Sequence, residues 1–256
     1  MKIASWNVNS LRVRLPQVLA WLEAQRPDVL ALQEIKLTDN DFPALEFEQV
    51  GYQALWAGQP TYNGVALLAR QTLEDPVTAL PDFRDPQRRV LAASVGGLRI
   101  VDLYVPNGQS PDSEKYRYKL DWLAQLESWV QELVQHYPKL VLLGDFNIAP
   151  EDRDVHDPAA WEGHVLVSPA ERQAFQRLLS HGLRDSFRLL HDGGGSYSWW
   201  DYRSAGFRRN QGLRIDHILL SQALAERCGA AYIDTEPRSW ERPSDHAPVV
   251  AELTLS

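Results

Sequence analysis

Apolar residues come along this chain in short unbroken runs, and most runs end on a polar residue. Ile3 to Val8 is the first, an expected strand ending among Asn7 and Asn9. Leu11, Leu15, Val18, Leu19 and Leu22 then recur at helical spacing, so an amphipathic helix follows. Pro16 fits that helix only in its first turn, where its missing N–H costs nothing. Pro27-Asp28 stops the helix and opens a second strand, Val29 to Leu32, which delivers Gln33 and Glu34 at its end.

Further strands are predicted at Gly64 to Ala69, Val90 to Val95 and Leu98 to Val105, the last two joined by the hairpin signal Gly96-Gly97. A long helix is expected from about Ser113 to His136, turning Leu120, Leu123, Leu126, Val130 and Leu133 inward. Lys139 to Leu143 reads as a strand that stops at Gly144-Asp145. Ser168-Pro169-Ala170-Glu171 has the capping-box pattern and opens a helix that Gly182 closes. Strands at Tyr197 to Trp200, Leu213 to Leu220 and Ala247 to Leu253 complete the pattern. Gly193-Gly194-Gly195 reads as a tight loop, and no linker divides residues 1–256, so a single domain is expected. Strands and helices do not alternate steadily. Two mixed sheets packed face to face, with helices outside, therefore suit the order better than one doubly wound parallel sheet.

Composition narrows the classes. With 44% hydrophobic and 23% charged residues and no low-complexity tract, the chain is globular rather than disordered. Cys228 stands alone, which excludes an intrachain disulfide and suits a reducing compartment. The opening MKIASWNVNSL lacks an apolar leader, and no run approaches the ~20 apolar residues of a membrane span. A cytoplasmic protein without membrane contact is expected. The net charge of −8 argues against a protein that simply coats nucleic acid. It leaves room for an enzyme acting on phosphodiesters, because a metal site gathers carboxylates and only the local potential matters to a polyanion.

The residues that end apolar runs are Asn7, Glu34, Tyr104, Asp145, Asn147, Asp216 and His246. Singly, each is an ordinary turn-former or cap; together they can converge on one rim. A carboxylate at Glu34, after a run expected to be buried, costs several kcal/mol unless paired or bound to a cation. Oxygen ligands of this kind suit a hard cation such as Mg²⁺. Asn7 either supplies an amide oxygen or orients the carboxylate. In Gly144-Asp145-Phe146-Asn147, an acceptor and an amide donor two residues apart either hold a water and a charged oxygen or form an Asx-turn. Asp245-His246 is either a surface hydrogen-bonded pair or an imidazole aimed at a phosphate and held by another carboxylate, for which Asp216 is available. His217 is expected to face the opposite side of its strand.

Taken in order, these blocks resemble the exonuclease III family of the endonuclease/exonuclease/phosphatase superfamily. They are Ser5-Trp6-Asn7-Val8-Asn9-Ser10-Leu11, Pro27 to Glu34, Leu103-Tyr104-Val105-Pro106-Asn107-Gly108 and Gly144 to Pro150. Ser198-Trp199-Trp200-Asp201-Tyr202-Arg203, Leu213-Arg214-Ile215-Asp216 and Ser244-Asp245-His246-Ala247-Pro248 follow. The resemblance implies a four-layer α/β/β/α sandwich and a hydrolase of DNA. It implies Asn7, Glu34 and Asp245 around Mg²⁺ or Mn²⁺, Asp145 on the attacking water, and Asn147 and Tyr104 on the scissile phosphate. His246, oriented by Asp216, would stabilise the phosphate oxygens. The implied substrate is double-stranded DNA with abasic sites or 3′ ends, acted on by a monomer.

In that family Trp199 and Trp200 stand where an aromatic pocket admits a base-less sugar; Trp200 is equally placed for plain core packing. Leu213 would close the pocket, and Arg203, Arg208, Arg209 and Arg214, with Arg88 and Arg89, would track phosphates. Two features depart from the pattern: the acidic balance, and the segment Arg153 to Trp161, with His156, which has no matched counterpart. A small phosphoester, such as an inositol phosphate or a phospholipid head group, is the alternative substrate. A binding module without catalysis is the third reading, and it conflicts with the retained catalytic chemistry.

Overall fold

The structure is a computed structural model that describes residues 1–255. In chain order the first half runs β1 (Lys2–Asn7), α1 (Leu11–Gln25), β2 (Val29–Gln33), α2 (Ala44–Gln49), β3 (Gln53–Ala57), β4 (Val65–Ala69) and β5 (Glu74–Val77). Next come β6 (Val90–Val95), β7 (Leu98–Tyr104), α3 (Glu114–His136), β8 (Leu140–Asp145), α4 (Pro158–Trp161) and α5 (Pro169–Ser180). The rest is β9 (Leu183–Asp185), α6 (Ser186–Leu190), β10 (Trp199–Trp200), β11 (Gly212–Leu213), β12 (Asp216–Ser221), α7 (Gln222–Ala225), β13 (Cys228–Ile233) and β14 (Val249–Leu253).

Two six-stranded mixed sheets result, ordered β13-β14-β1-β2-β4-β3 and β5-β6-β7-β8-β12-β9, with the small pair β10-β11 apart. Both faces of the central strands are covered, which is why they read as unbroken apolar runs. Along β2, Val29 and Ala31 enter the core between the sheets, while Leu30 and Leu32 pack outward beneath Val18, Trp21 and Leu22 of α1 and Phe47 of α2. Ile100, Val141 and Ile218 of the second sheet meet the same central core. Its outer face, with Val101 and Leu142, packs against Trp122, Leu126 and Val130 of α3 and Phe175 of α5. The layers are thus helix, sheet, sheet, helix. A polar seam joins the sheets below the site, where the Gln33 amide donates to Ser5 Oγ at 3.0 Å and to Asp102 at 2.7 Å.

Register decides where the polar strand ends meet. Asn7 lies beside Gln33 across β1 and β2. Tyr104, Asp145 and Asp216 form one row across β7, β8 and β12. Gly144 sits in the row behind with φ +144°, and a Cβ there would stand 1.9 Å from the Leu103 carbonyl oxygen. Only glycine lets β8 lie this close to β7 at its carboxyl end.

Most predicted elements appear within a residue or two, including the α5 capping box, where Ser168 Oγ accepts from the Glu171 N–H. Three expectations are corrected. Pro16 is the sixth residue of α1, beyond the first turn, and the hydrogen bond it removes falls on the exposed Arg12 turn. The run Leu213 to Leu220 is broken: the Arg214 N–H turns to the Asp154 carbonyl, and the Ile215 and Asp216 N–H groups both donate to Ser198 Oγ. The Tyr197 to Trp200 strand shrinks to β10. The edge strands β3, β5 and β13 gave no clear signal, β5 because it is mostly exposed and carries Pro76, and β13 because it is built on Gly and Ala. Among the described residues, no helix is long and apolar enough to cross a membrane.

Candidate active site

The carboxyl ends of β1, β2, β7 and β8 and the start of β12 open onto one rim, completed by the loop before β14 that carries Asp245 and His246. The turns at this rim are tight enough to force Asn9, Ser10, Glu34, Lys36 and Asn147 to positive φ. Each such residue costs of order 1–3 kcal/mol, which the surrounding bonds must hold in place.

Asn7 is fully buried. Its amide nitrogen donates to Glu34 Oε1 at 2.8 Å and to Asp145 Oδ2 at 2.9 Å, while its oxygen accepts the Asn9 N–H at 3.0 Å. These bonds orient the Glu34 and Asp145 carboxylates. Lys36 Nζ flanks Glu34 Oε2 at 3.2 Å. The other Asp145 oxygen accepts the Asn147 N–H at 2.9 Å. Asn147 in turn donates to the Val105 carbonyl at 2.9 Å and accepts from the Asn107 amide at 3.3 Å.

His246 is held on three sides. Its Nδ1 meets Asp216 Oδ2 at 2.8 Å, its Nε2 lies 3.7 Å from Asp145 Oδ2, and its carbonyl accepts the Trp6 indole N–H at 3.2 Å. Ser244 fastens the loop from below, donating to the Asn7 carbonyl at 2.6 Å and accepting the His246 N–H at 3.2 Å. Asp245 turns away from its neighbour: Oδ1 accepts from Asn9 at 3.1 Å and Oδ2 from the Trp199 indole at 3.0 Å.

Burial raises the Asp145 carboxyl well above the usual carboxylate range; His246 pulls it down, and Asp216 and Glu34 add to the rise. For His246 burial opposes the charge, but the Asp216 and Asp145 carboxylates outweigh it, so its pKa is raised and the ring is an imidazolium. Burial, then Glu34 and Asp145, push the Tyr104 phenol far up, so it remains an O–H donor. The Arg89 guanidinium lies 4.8 Å from the Tyr104 ring centroid. Glu34, Asp145, Asp216 and Asp245 thus face one imidazolium and one lysine, an anionic excess that a cation would relieve.

Ligand atoms of Glu34, Asp145 and His246 lie within 4.8 Å of one another, a group able to hold a metal ion. His246 Nδ1 is taken up by Asp216, and the carboxylates of the group offer oxygen donors to such an ion. Oxygen donors of this kind fit a hard divalent cation.

Beside Asp245, half-buried Trp199 sets its ring edge against Trp161, with centroids 6.5 Å apart, over a patch formed by Ala149, Val155, Leu166 and Leu213. Leu213 has no exposed surface and supports that wall from behind. Trp200 points the other way: only 1% exposed, it packs on Phe207 and hydrogen-bonds Asn210, so its place is the core rather than a substrate contact.

Arg203, Arg208 and Arg209 are exposed on the loop after β10, Arg203 pairing with its own Asp201 at 2.8 Å. Arg214 is corrected. It is 1% exposed and locked to Asp154 at 2.7 Å and Asp185 at 2.7 Å, so it cannot track phosphates. That ion pair also accounts for the unmatched segment. Asp154 is fully buried, Val155 bridges to Leu213, and the His156 N–H donates to the Gly212 carbonyl, which joins Arg153 to Trp161 to the back of the aromatic wall.

Sequence reasoning passed over Lys36, Arg238 and Lys119. Arg238 donates to the Ser244 carbonyl at 2.5 Å and lies under Trp200, Tyr202 and Phe207. Lys119 had a readable signal: it shares the inward stripe of α3 with Tyr116, Leu123 and Leu126, where a lysine must find buried partners.

Known proteins resemble this chain over its full length. The chain is 40% identical to exodeoxyribonuclease III of Haemophilus influenzae, over 99% of this chain and 100% of the relative. The solved structure of the 3′ phosphatase NExo from Neisseria, bound to a product DNA hairpin, superposes with a TM-score of 0.98 at 50% identity over the full length of both chains. An AP endonuclease from Archaeoglobus fulgidus does so with a TM-score of 0.97 at 39% identity, again over both full chains. The profile of one family spans residues 4–246, from the first strand to the imidazolium of the rim, and the chain belongs to that Endonuclease/Exonuclease/phosphatase family.

Proposed function

We propose that this chain is a divalent-metal-dependent DNA-repair phosphodiesterase. It cleaves 5′ to abasic sites and also acts as a 3′→5′ exonuclease and 3′-phosphatase. The observation that carries this reading is the buried junction of Asn7, Glu34, Asp145 and the Asp216-held His246 on one rim. Likeness over the full chain to a named exodeoxyribonuclease III and to an AP endonuclease supports it.

Mg²⁺ or Mn²⁺, when bound, supplies charge neutralisation at the phosphate oxygens. Glu34 would hold it, steered by Asn7, with Asp245 behind Asn9 completing the metal side of the rim. Asp145 positions the attacking water and takes its proton, a task helped by its raised pKa. The His246 imidazolium, the Tyr104 O–H and the second N–H of the Asn147 amide face the phosphate oxygens as charge develops on them. No covalent nucleophile is needed.

The substrate is double-stranded DNA carrying abasic sites or 3′ ends. Trp199 and its apolar wall receive a sugar without a base, while Arg203 and Arg208 reach the backbone from their exposed loop. The chain acts as a monomeric single catalytic domain in the cytoplasm. The net charge of −8 favours a second reading, a phosphoesterase of small phosphoesters or phospholipid head groups.

One experiment separates the two. Duplex DNA with a single abasic site is incubated with the protein and Mg²⁺, with and without chelator, beside an inositol phosphate and a phospholipid head-group ester. Metal-dependent nicking of the duplex is expected. Turnover of the small esters alone would replace the first reading with the second.

A further inference from the structure

Lys119 is a lysine without solvent. Its side chain and that of Glu171 are both 0% exposed. Its ammonium has three N–H groups and three partners: the Asn147 carbonyl at 2.7 Å, the Asn107 carbonyl at 3.1 Å, and Glu171 in a short ion pair. Glu171 is itself fixed, accepting the Leu166 N–H at 3.0 Å and the Ser168 N–H at 3.1 Å. The lysine stem passes under Gly108, whose φ is +91° and whose added Cβ would lie 3.0 Å from Lys119 Cδ.

A buried ion pair contributes little net stability against an apolar pair of the same size. What this one does is geometric. Asn107 and Asn147 lie on the two loops that leave the parallel neighbours β7 and β8, and a single ammonium ties both carbonyls. Asn147 needs the tie. Its φ is +49°, and its amide is the group placed on the phosphate above. The Asn107 side chain, held by the same clamp, donates to the Asn147 oxygen and so fixes which way that amide turns.

We propose that Lys119 is a positioning residue for the phosphodiesterase reaction: by clamping the Asn107 and Asn147 carbonyls, it aims the Asn147 amide at the scissile phosphate. This rests on the function proposed above. Lys119 touches no substrate, and no opening leads to it. Removing it leaves the loop carrying Asn147 free to shift, and misplacement of about 1 Å in such a group costs on the order of 100-fold in rate.

The test compares wild type, Glu171→Gln and the double variant Lys119→Met with Glu171→Gln, which removes both charges together. kcat and KM are measured on abasic duplex with Mg²⁺, alongside Tm. The double variant is expected to lose roughly 10- to 100-fold in kcat, with KM near wild type and Tm no lower than that of Glu171→Gln, which leaves the Lys119 charge unpaired. Adding the same pair of changes to Asn147→Ala should cost much less, because coupled residues are not additive. Wild-type kcat in the double variant, or a full multiplicative loss on Asn147→Ala, overturns the proposal. If the double variant does not fold, Lys119→Gln replaces it, with a smaller kcat loss expected and wild-type kcat overturning.

Hydrogen exchange gives a readout independent of activity. Faster exchange confined to residues 105–109 and 144–149 is expected, and a uniform rise along the chain overturns the clamp. Confined exchange together with a wild type that does not nick abasic DNA leaves the clamp and removes the proposed function. A wild type that nicks, with a variant whose kcat is unchanged, does the reverse.

Discussion

His246 Nδ1 lies 2.8 Å from Asp216 Oδ2, thirty residues away in sequence, while the adjacent Asp245 gives its two oxygens to Asn9 and Trp199. Asp216 therefore maintains the imidazolium. In Asp216→Asn the ring loses its counter-charge and the carboxylate that fixes its orientation. We expect kcat on abasic duplex to fall about 10²–10⁴-fold, with KM and Tm little changed. A variant with wild-type kcat would detach Asp216 from catalysis.

On the proposed function, Glu34 carries the metal side. It sits after a fully buried strand, 2.8 Å from the Asn7 amide and 3.2 Å from Lys36. Glu34→Ala should keep the fold, lower activity, and raise the Mg²⁺ concentration needed for half of its remaining maximum. A Mg²⁺ titration of nicking, with circular dichroism as the control for fold, measures this. An unshifted midpoint with full activity would take Glu34 out of the site.

His217 predicts a pH effect on stability. Its Nε2–H donates to the Ile148 carbonyl at 2.8 Å and its Nδ1 accepts from Arg214 at 3.1 Å, so it is folded as the neutral ring. Burial, and then Arg214, lower its pKa from 6.5 to about 4. Between those values the unfolded chain binds the extra proton, so the contribution is complete above about pH 6.5 and is lost as pH falls toward 4. The slope for one group is at most ~1.4 kcal/mol per pH unit. Urea midpoints of wild type and His217→Gln, taken as a difference at each pH, isolate it from Asp145 and the other carboxyls. Parallel pH profiles would contradict the neutral buried ring.

Arg214 separates structure from DNA contact. Arg214→Met leaves Asp185 without its cation and Asp154 with Arg188 alone in the interior, at a cost of roughly 3–5 kcal/mol. Calorimetry should show Tm lowered by on the order of 10 °C. The opposite pattern, an unchanged Tm with a weaker salt dependence of duplex binding, would make it a phosphate contact after all.

Legibility followed burial. Glu34 and Asp145 stood out because each ends a run of residues with no exposed surface, where a charge needs a reason. The face-to-face sheets followed from the same runs. Spacing offered Asp216 only as an available partner for His246, because β12 and the Asp245 loop meet only through the fold, and the resemblance gave it the orienting role. Trp199 and Trp200 are identical in sequence terms; alternation sends one to the rim and the other to the core. Arg214 looked basic, yet its neighbours Leu213 and Ile215 are both buried, and an arginine between them had to be paired. The segment after Pro150 was opaque because Asp154, the residue that anchors it, finds its cations at positions 188 and 214.

β1 lies between β2 and β14, so Asn7 at one end of the sequence shares its rim with Asp245 and His246 at the other. On a ribosome Asn7 is made long before Asp245 and His246. Until the loop with Ser244 has emerged, the Asn7 carbonyl lacks its bond, Asp216 has no imidazole to hold, and the edge of β1 lies bare. On the proposed function, a chain that stops short of this loop is expected not to cut, because both halves of the rim are needed together.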